Sequence, residues 1–118
     1  MKVTRIYADE NGHSHFEDIE MPSMPKPVGR VSEGLAVETL RIRETPGSYD
    51  QDWHCAPRRV LVVLLSGVVE IDVSNGITRR FGAGDILLAE DTTGEGHRTR
   101  TLSPEPRKTL FIALPEGE

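Results

Sequence analysis

The sequence predicts an all-β domain, an antiparallel sandwich or barrel built from short strands. Its 118 residues include eleven glycines and eight prolines, and short strand-like segments alternate with turn residues along the chain. No segment of useful length carries the apolar period of a helix. A chain of this length has room for one core, so residues 1–118 are expected to form a single domain.

The predicted strands begin at the amino terminus. Residues 2–7 and 14–20 are strand-like and flank a turn in the sequence ADENGH. Residues 21–29 contain three prolines and are expected to cross the surface as an extended connector, because proline cannot donate to a sheet ladder. We therefore divide the domain into N-terminal strands with their connector (residues 1–34) and a barrel core (residues 35–114).

The core is expected to contain most of the eight to ten strands. Ser74-Asn75-Gly76 is the clearest hairpin signal in the chain, and it predicts a type I′ turn in which Gly76 adopts a positive φ. Residues 51–55 and 58–65 are predicted to form one strand bent at Pro57. The other core strands are expected at residues 35–44, 68–73, 77–81, 86–89, 97–102 and 108–114, with a glycine corner at residues 81–85.

Composition limits the classes of partner. Fourteen basic and nineteen acidic residues leave a net charge of −5, which argues against nucleic acid or an anionic membrane surface as a partner. The longest apolar run, residues 60–65, is too short to span a bilayer, and the first ten residues contain no apolar signal region. A single cysteine suits a reducing compartment. We expect a cytoplasmic protein with a small-molecule ligand.

The order of glycines and histidines in the core resembles the two-motif core of the cupin superfamily, in particular its small single-domain, RmlC-like members. Gly47 precedes His54, and Gly67 closes the first motif. Gly84 opens the second motif, and His97 lies near its end. This resemblance covers roughly residues 35–114. It implies a jelly-roll β-barrel with His54 and His97 side by side in a pocket, where both are candidate catalytic residues.

The chain departs from the metal-binding cupin pattern. That pattern supplies three histidines and one carboxylate, whereas here Ala56 takes the second histidine position and Val60 the carboxylate position. A zinc or iron site needs at least three protein ligands. A divalent metal (Zn, Fe, Mn or Ni) on His54, His97 and Asp91 is therefore expected to be held no better than micromolar, or not at all.

Strand alternation predicts the composition of the pocket wall. Residues 54, 56, 58, 60, 62 and 64 share one face and read His, Ala, Arg, Val, Val, Leu, which suits a polar mouth above an apolar floor. Arg58 lies on this face unless a bend at Pro57 places Arg59 there instead. Further candidate ligand-binding residues beside the histidines are Asp52, Trp53 and Glu90.

These features predict a protein that binds, and in one version transforms, a small polar or acidic metabolite. Two chemistries fit: a weakly held metal acting as Lewis acid or oxygen-activating centre, or a histidine that moves a proton without metal. A non-catalytic ligand sensor or accessory protein is the alternative. We also expect a homodimer in which the N-terminal strand is exchanged, because sheet edges are usually covered or paired.

Overall fold

Twelve β-strands make up the secondary structure of residues 1–116, the part of the chain that the computed structural model describes. No helix long and apolar enough to cross a bilayer occurs in that range. The all-β prediction is confirmed. In chain order the strands are β1 (Lys2–Ala8), β2 (Ser14–Glu20), β3 (Ser23–Lys26), β4 (Gly29–Ser32), β5 (Thr39–Thr45), β6 (Gln51–His54), β7 (Val60–Leu64), β8 (Val69–Val73), β9 (Thr78–Phe81), β10 (Ile86–Ala89), β11 (His97–Thr101) and β12 (Arg107–Ala113).

Two sheets face each other across the core. The larger has the order β2-β1-β10-β7-β12-β5 and the smaller the order β6-β11-β8-β9. Within the described chain β5 pairs only with β12 and β6 only with β11, so no ladder joins these two edges. The predicted barrel is therefore a sandwich that stays open between β5 and β6. Seven buried side chains fill its interior: Ile6, Leu64, Val69, Ile71, Val73, Phe81 and Leu87.

The N-terminal strands belong to this core. β1 pairs antiparallel with β2 and parallel with β10, where Thr4 lies opposite Leu87. Ile6 of β1 is only 1% exposed. The boundary expected at residue 34 therefore does not mark the edge of the core. The proline-rich connector does stay outside both large sheets, but its strands β3 and β4 form a separate two-stranded hairpin.

Two local expectations are wrong. β6 and β7 were expected as one bent strand, but they lie in different sheets. The chain crosses between the sheets around Pro57, which has no N–H with which to continue a ladder. The hairpin at Gly76 is present, but Asn75 lies outside the positive-φ region while Gly76 has φ +99°. Its amide bonds to the Val73 carbonyl at 2.9 Å, so the loop is a type I turn followed by glycine rather than type I′.

Candidate functional site

A cavity of about 570 Å³ lies between the two sheets. Most of its exposed lining side chains come from the edge strands β5 and β6 and include Arg41, Arg43 and Gln51, so the cavity opens at these unpaired edges of the sandwich. Its interior is apolar, as in most small-molecule sites. Large apolar side chains lining it are Ile6, Val62, Leu64, Ile71, Leu87 and Phe111.

The side chains predicted to share one face between residues 54 and 64 do line the cavity, although the chain passes from one sheet to the other within this segment. Residues 54, 56, 58, 60, 62 and 64 all line the cavity. Of the two adjacent arginines it is Arg58 that faces the cavity, where its Nη1 donates to Glu38 Oε1 at 2.8 Å. Arg59 turns away and donates to Glu90 Oε2 at 2.7 Å. The bend at Pro57 therefore leaves Arg58, and not Arg59, facing the cavity.

The two candidate catalytic histidines are in contact. β6 and β11 place His54 directly opposite His97, and both side chains line the cavity. Their ring centroids are 4.4 Å apart at an interplanar angle of 61°, an edge-to-face arrangement. His97 is 8% exposed and His54 is half-buried. We call these two residues the histidine pair.

Each ring of the histidine pair is held through its Nδ1 atom. Nδ1 of His54 lies 2.7 Å from the backbone oxygen of Asp52, which can only accept a hydrogen bond, so this Nδ1 carries a proton. Nδ1 of His97 lies 2.6 Å from Oδ2 of Asp91 and donates to it in the same way. When the rings are neutral, Nε2 is therefore the nitrogen that keeps a lone pair on each of them.

Asp91 orients His97 from behind. The carboxylate is fully buried, and its Oδ2 also accepts a hydrogen bond from Ser14 Oγ at 2.8 Å. Ser14 belongs to β2 and is itself completely buried. A carboxylate on one ring nitrogen fixes the ring orientation and leaves the other nitrogen for chemistry. The sequence carried no signal for Ser14, which lies 77 positions from Asp91.

Burial lowers the pKa of His54 from its ordinary value, and the neighbouring charge of His97 lowers it further. The Asp52 backbone oxygen and Asp91 oppose this shift without reversing it. At neutral pH His54 is therefore predominantly neutral, and its Nε2 is able to accept a proton.

The other candidate residues lie outside the cavity wall. Trp53 is 44% exposed, with the Arg98 guanidinium 5.0 Å from its ring. The carboxylate of Asp52 accepts from the backbone amide of Trp53 at 2.9 Å. Glu90 is held between two guanidinium groups, since Arg5 pairs with one of its oxygens and Arg59 with the other. Although burial opposes it, these two ion pairs lower the pKa of Glu90.

The donor set does not fit a divalent metal. Asp91, expected as the third ligand, lies on the Nδ1 side of His97 rather than beside Nε2. Ala56 and Val60 line the cavity but have no ligand atoms. Within residues 1–116 no three His, Cys, Asp or Glu side chains converge to hold an ion. Two imidazole nitrogens fall short of the three protein ligands of a catalytic zinc site.

The charged lining groups are mainly cationic. Four guanidinium groups line the cavity, whereas Glu38 is the one carboxylate among the described lining residues, and it is paired with Arg58. Of the four lining arginines, only Arg58 was predicted from the sequence. The three that were not predicted are Arg41, Arg43 and Arg107. Alternation in TLRIRET and RKTLFIA places them on one face of β5 and β12, but only the pairing of these strands shows that this face is the interior.

No protein-family model and no protein of curated function matches the sequence. Solved structures do share its fold. An uncharacterized conserved protein with a double-stranded β-helix domain from Klebsiella pneumoniae is 24% identical, with a TM-score of 0.52 over 66% of this chain and 67% of that one. A protein from Neisseria meningitidis is 18% identical, with a TM-score of 0.50 over 64% of this chain and 72% of its own.

A conserved protein of unknown function from Streptococcus pyogenes is 19% identical, with a TM-score of 0.50 over 74% of this chain and 72% of that one. At these identities the likeness concerns the fold alone. The chain thus has a jelly-roll-like fold similar to a double-stranded β-helix domain, and within residues 1–116 no strand pairing joins its two sheets along either edge.

Proposed function

We propose that the protein binds a small organic acid with an apolar body in the cavity between its sheets. The observation that carries the proposal is the charge of the lining, four guanidinium groups against one carboxylate that is already paired. Guanidinium groups make strong, charge-assisted hydrogen bonds to carboxylates and phosphates. The apolar wall around Val62 and Phe111 suits the hydrocarbon part of such a molecule.

The histidine pair adds proton transfer to this proposal. His54 is predominantly neutral at neutral pH, and Asp91 holds His97 with its Nε2 free. One Nε2 accepts a proton from a carbon atom next to a carbonyl group or double bond of the bound acid, and the proton returns at another atom of that conjugated system, so the double bond shifts and the reaction is an isomerisation without redox change. Membership of the cupin superfamily belongs to the same proposal, supported by the order of the glycine and histidine motifs and by the double-stranded β-helix likeness.

Isothermal titration calorimetry with straight-chain carboxylic acids and their matched amides tests the binding. The acids are expected to bind saturably, and the amides at least about tenfold more weakly, because one charged hydrogen bond is worth roughly 1.5–3 kcal/mol. Arg80→Gln should bind the acids as tightly as the wild type does, since Arg80 is an arginine that does not line the cavity. Equal binding of acid and amide, or no binding of either, would refute the proposal.

Proton transfer is tested in a second arm. Straight-chain acids with a double bond or a carbonyl group (3-enoic and 2-oxo acids) are incubated with the protein in D₂O, and the loss of each C–H signal is followed by NMR. Exchange that is abolished in His54→Gln and His97→Gln supports an isomerase. Binding without exchange of any C–H proton contradicts the catalytic part and assigns the protein as a ligand sensor or accessory protein.

A further inference from the structure

We propose that Arg43, Arg107 and Thr109 form an oxyanion subsite at the end of the cavity remote from the histidine pair. We call these three residues the oxyanion corner. The inference rests on the proposed binding of an organic acid and extends it, because it assigns which end of the cavity holds the anionic group. It also specifies a ligand with its oxyanion at one end and its reactive or polar group at the other.

The first observation is a hydroxyl group without a partner. Thr109 of β12 is 3% exposed and lines the cavity. Its Oγ1 has no hydrogen-bond partner among residues 1–116. A buried hydroxyl in this condition costs stability, and folded proteins contain few of them. The side chain lines the cavity, and its hydroxyl hydrogen is not used by any described residue.

The second observation is the position of two arginines around this hydroxyl. In the ladder between β5 and β12, Arg43 lies directly opposite Thr109. Arg107 lies two residues before Thr109 on the same strand, so the two side chains share a face. Both guanidinium groups line the cavity, and within the described chain neither forms an ion pair with a carboxylate.

Among residues 1–116 neither cation has a carboxylate within ion-pair distance. The Arg43 guanidinium lies 4.4 Å from the centre of the Phe111 ring, and Nη1 of Arg107 lies 3.4 Å from the Thr101 hydroxyl. Burial lowers the pKa of Arg107, and the charge of Arg43 lowers it further, whereas Tyr49 and Asp50 oppose this shift without reversing it. Two like charges at a partly buried place favour an anion between them, because it relieves their repulsion and accepts hydrogen bonds from both.

Strand register separates this corner from the histidine pair. On β11, His97 lies opposite Val73, whereas Thr101, which Arg107 approaches, lies opposite Val69. Four residues of extended strand span about 13 Å. The apolar side chains of Ile71 and Val62 line the wall between. A molecule whose oxyanion occupies the oxyanion corner therefore extends its hydrocarbon part toward His54 and His97.

A carboxylate and a phosphate monoester offer this corner the same chemistry: negative oxygen atoms that accept several hydrogen bonds. Calorimetric titrations with hexanoate, hexyl phosphate and hexanamide separate the two anions from each other and from a neutral molecule of similar length. Each is titrated into the wild-type protein and into Arg107→Gln, Thr109→Val and Arg80→Gln. Arg80→Gln is the matched control, because it removes an arginine that does not line the cavity.

The preferred anion is expected to bind about tenfold more weakly to Arg107→Gln and about fivefold more weakly to Thr109→Val, whereas hexanamide binding changes less than about twofold. Arg80→Gln should stay within about twofold of the wild type, since Arg80 lies outside the cavity lining. Thr109→Val should unfold at the same temperature as the wild type or a higher one, because valine removes the unpaired hydroxyl. This thermal measurement separates loss of a contact from loss of the fold.

Two outcomes would overturn the subsite while leaving the proposed function in place. In one, the wild type prefers an anion over hexanamide and Arg107→Gln and Thr109→Val keep that preference. In the other, Arg80→Gln loses as much affinity as Arg107→Gln, which would indicate a general effect of charge. A wild type that binds neither anion better than hexanamide would contradict both proposals for these ligands.

Discussion

At the scale of single residues, the behaviour of the histidine pair depends on what holds each Nδ1 atom. A backbone oxygen holds His54, and the buried Asp91 carboxylate holds His97. These partners leave both Nε2 atoms for the ligand, and the contact between the rings couples their charges. The protonation of His54 therefore reports directly on the geometry of the site.

We expect His54 to titrate below the ordinary histidine pKa of 6.5 in NMR spectra, because burial and His97 both disfavour its charged form. His97→Gln removes one of these two causes and should raise the pKa of His54. Tyr49→Phe, a change outside the cavity lining, is the control and should leave it unchanged. An unshifted His54 in the wild type would contradict the described contact.

The same shift predicts how stability depends on pH. The folded protein binds a proton at His54 less readily than the unfolded chain, so unfolding takes up a proton once the pH falls below about 6.5. The free energy of unfolding contributed by His54 is therefore present above that pH and is lost as the pH falls toward the folded-state pKa. Chemical denaturation between pH 5 and 8 should show a flatter profile for His54→Gln than for the wild type.

Weak metal binding stays a prediction at this scale. With alanine and valine at two of the four ligand positions, zinc is expected to bind no more tightly than about micromolar in calorimetric titrations. Any such binding should vanish in the double variant His54→Gln/His97→Gln. A stoichiometric metal that survives dialysis against a chelator would contradict this expectation and would require a rearranged carboxylate as third ligand.

At the scale of elements, a glycine lets β6 and β11 approach each other at the histidine pair. Gly96 has φ +78°, and a Cβ atom placed on it would collide with the backbone oxygen of His54. Any side chain at this position must push the two strands apart. The alignment of His54 with His97 therefore depends on the residue just before β11.

Gly96→Ala is expected to destabilise the fold by more than about 2 kcal/mol, since the strain of a positive φ adds to a backbone collision. Gly76→Ala is the matched control, because Gly76 also has a positive φ but no atom lies within 4 Å of the place that a Cβ would take there. It should cost only about 1 kcal/mol. Equal midpoints of the two variants in chemical denaturation would refute the proposed close approach.

Local sequence patterns predicted several elements because the signals for them are local. β10 and β2 have the expected bounds, and the hairpin at Gly76 is where its turn residues indicated. The features that the sequence did not predict depend on contacts between distant parts of the chain. The parallel pairing of β1 with β10 joins residues more than 80 positions apart, and no turn or alternation signal specifies it.

Only the part of the site that depends on local alternation was predictable from the sequence. His54 and Arg58 share a face with four other lining residues, so simple alternation places them in the cavity. Arg43, Arg107 and Thr109 come together only through the β5–β12 ladder. The bond between Ser14 and Asp91 likewise requires β2 to lie beside the loop after β10, which follows from the sheet order and not from either local sequence.

At the scale of the whole molecule, the expected homodimer stays a prediction. β1 and β2 pair within their own chain, so the structure offers a different exposed edge. β5 is an edge strand whose outward Leu40 and Ile42 are 53% and 77% exposed. Unpaired, apolar edge strands tend to pair with another chain.

Multi-angle light scattering at micromolar concentration is therefore expected to give the mass of a dimer, and Ile42→Lys to shift it toward the monomer. Val28→Lys is the control, because Val28 is 87% exposed but lies between β3 and β4, outside the large sheets. A wild type with monomer mass would contradict the dimer. A dimer indifferent to Ile42→Lys would place its interface away from β5.

Uptake of a small organic acid by the cavity between the sheets can be observed in a ¹H–¹⁵N NMR titration of the labelled wild-type protein with hexanoate, with hexanamide as the neutral comparison. We expect saturable shifts confined to residues around the cavity, in β7, β11 and β12, that are strong with hexanoate and weak with hexanamide. Shifts that are absent, that do not saturate, or that map to the outer faces of the sheets would rule out binding in this cavity.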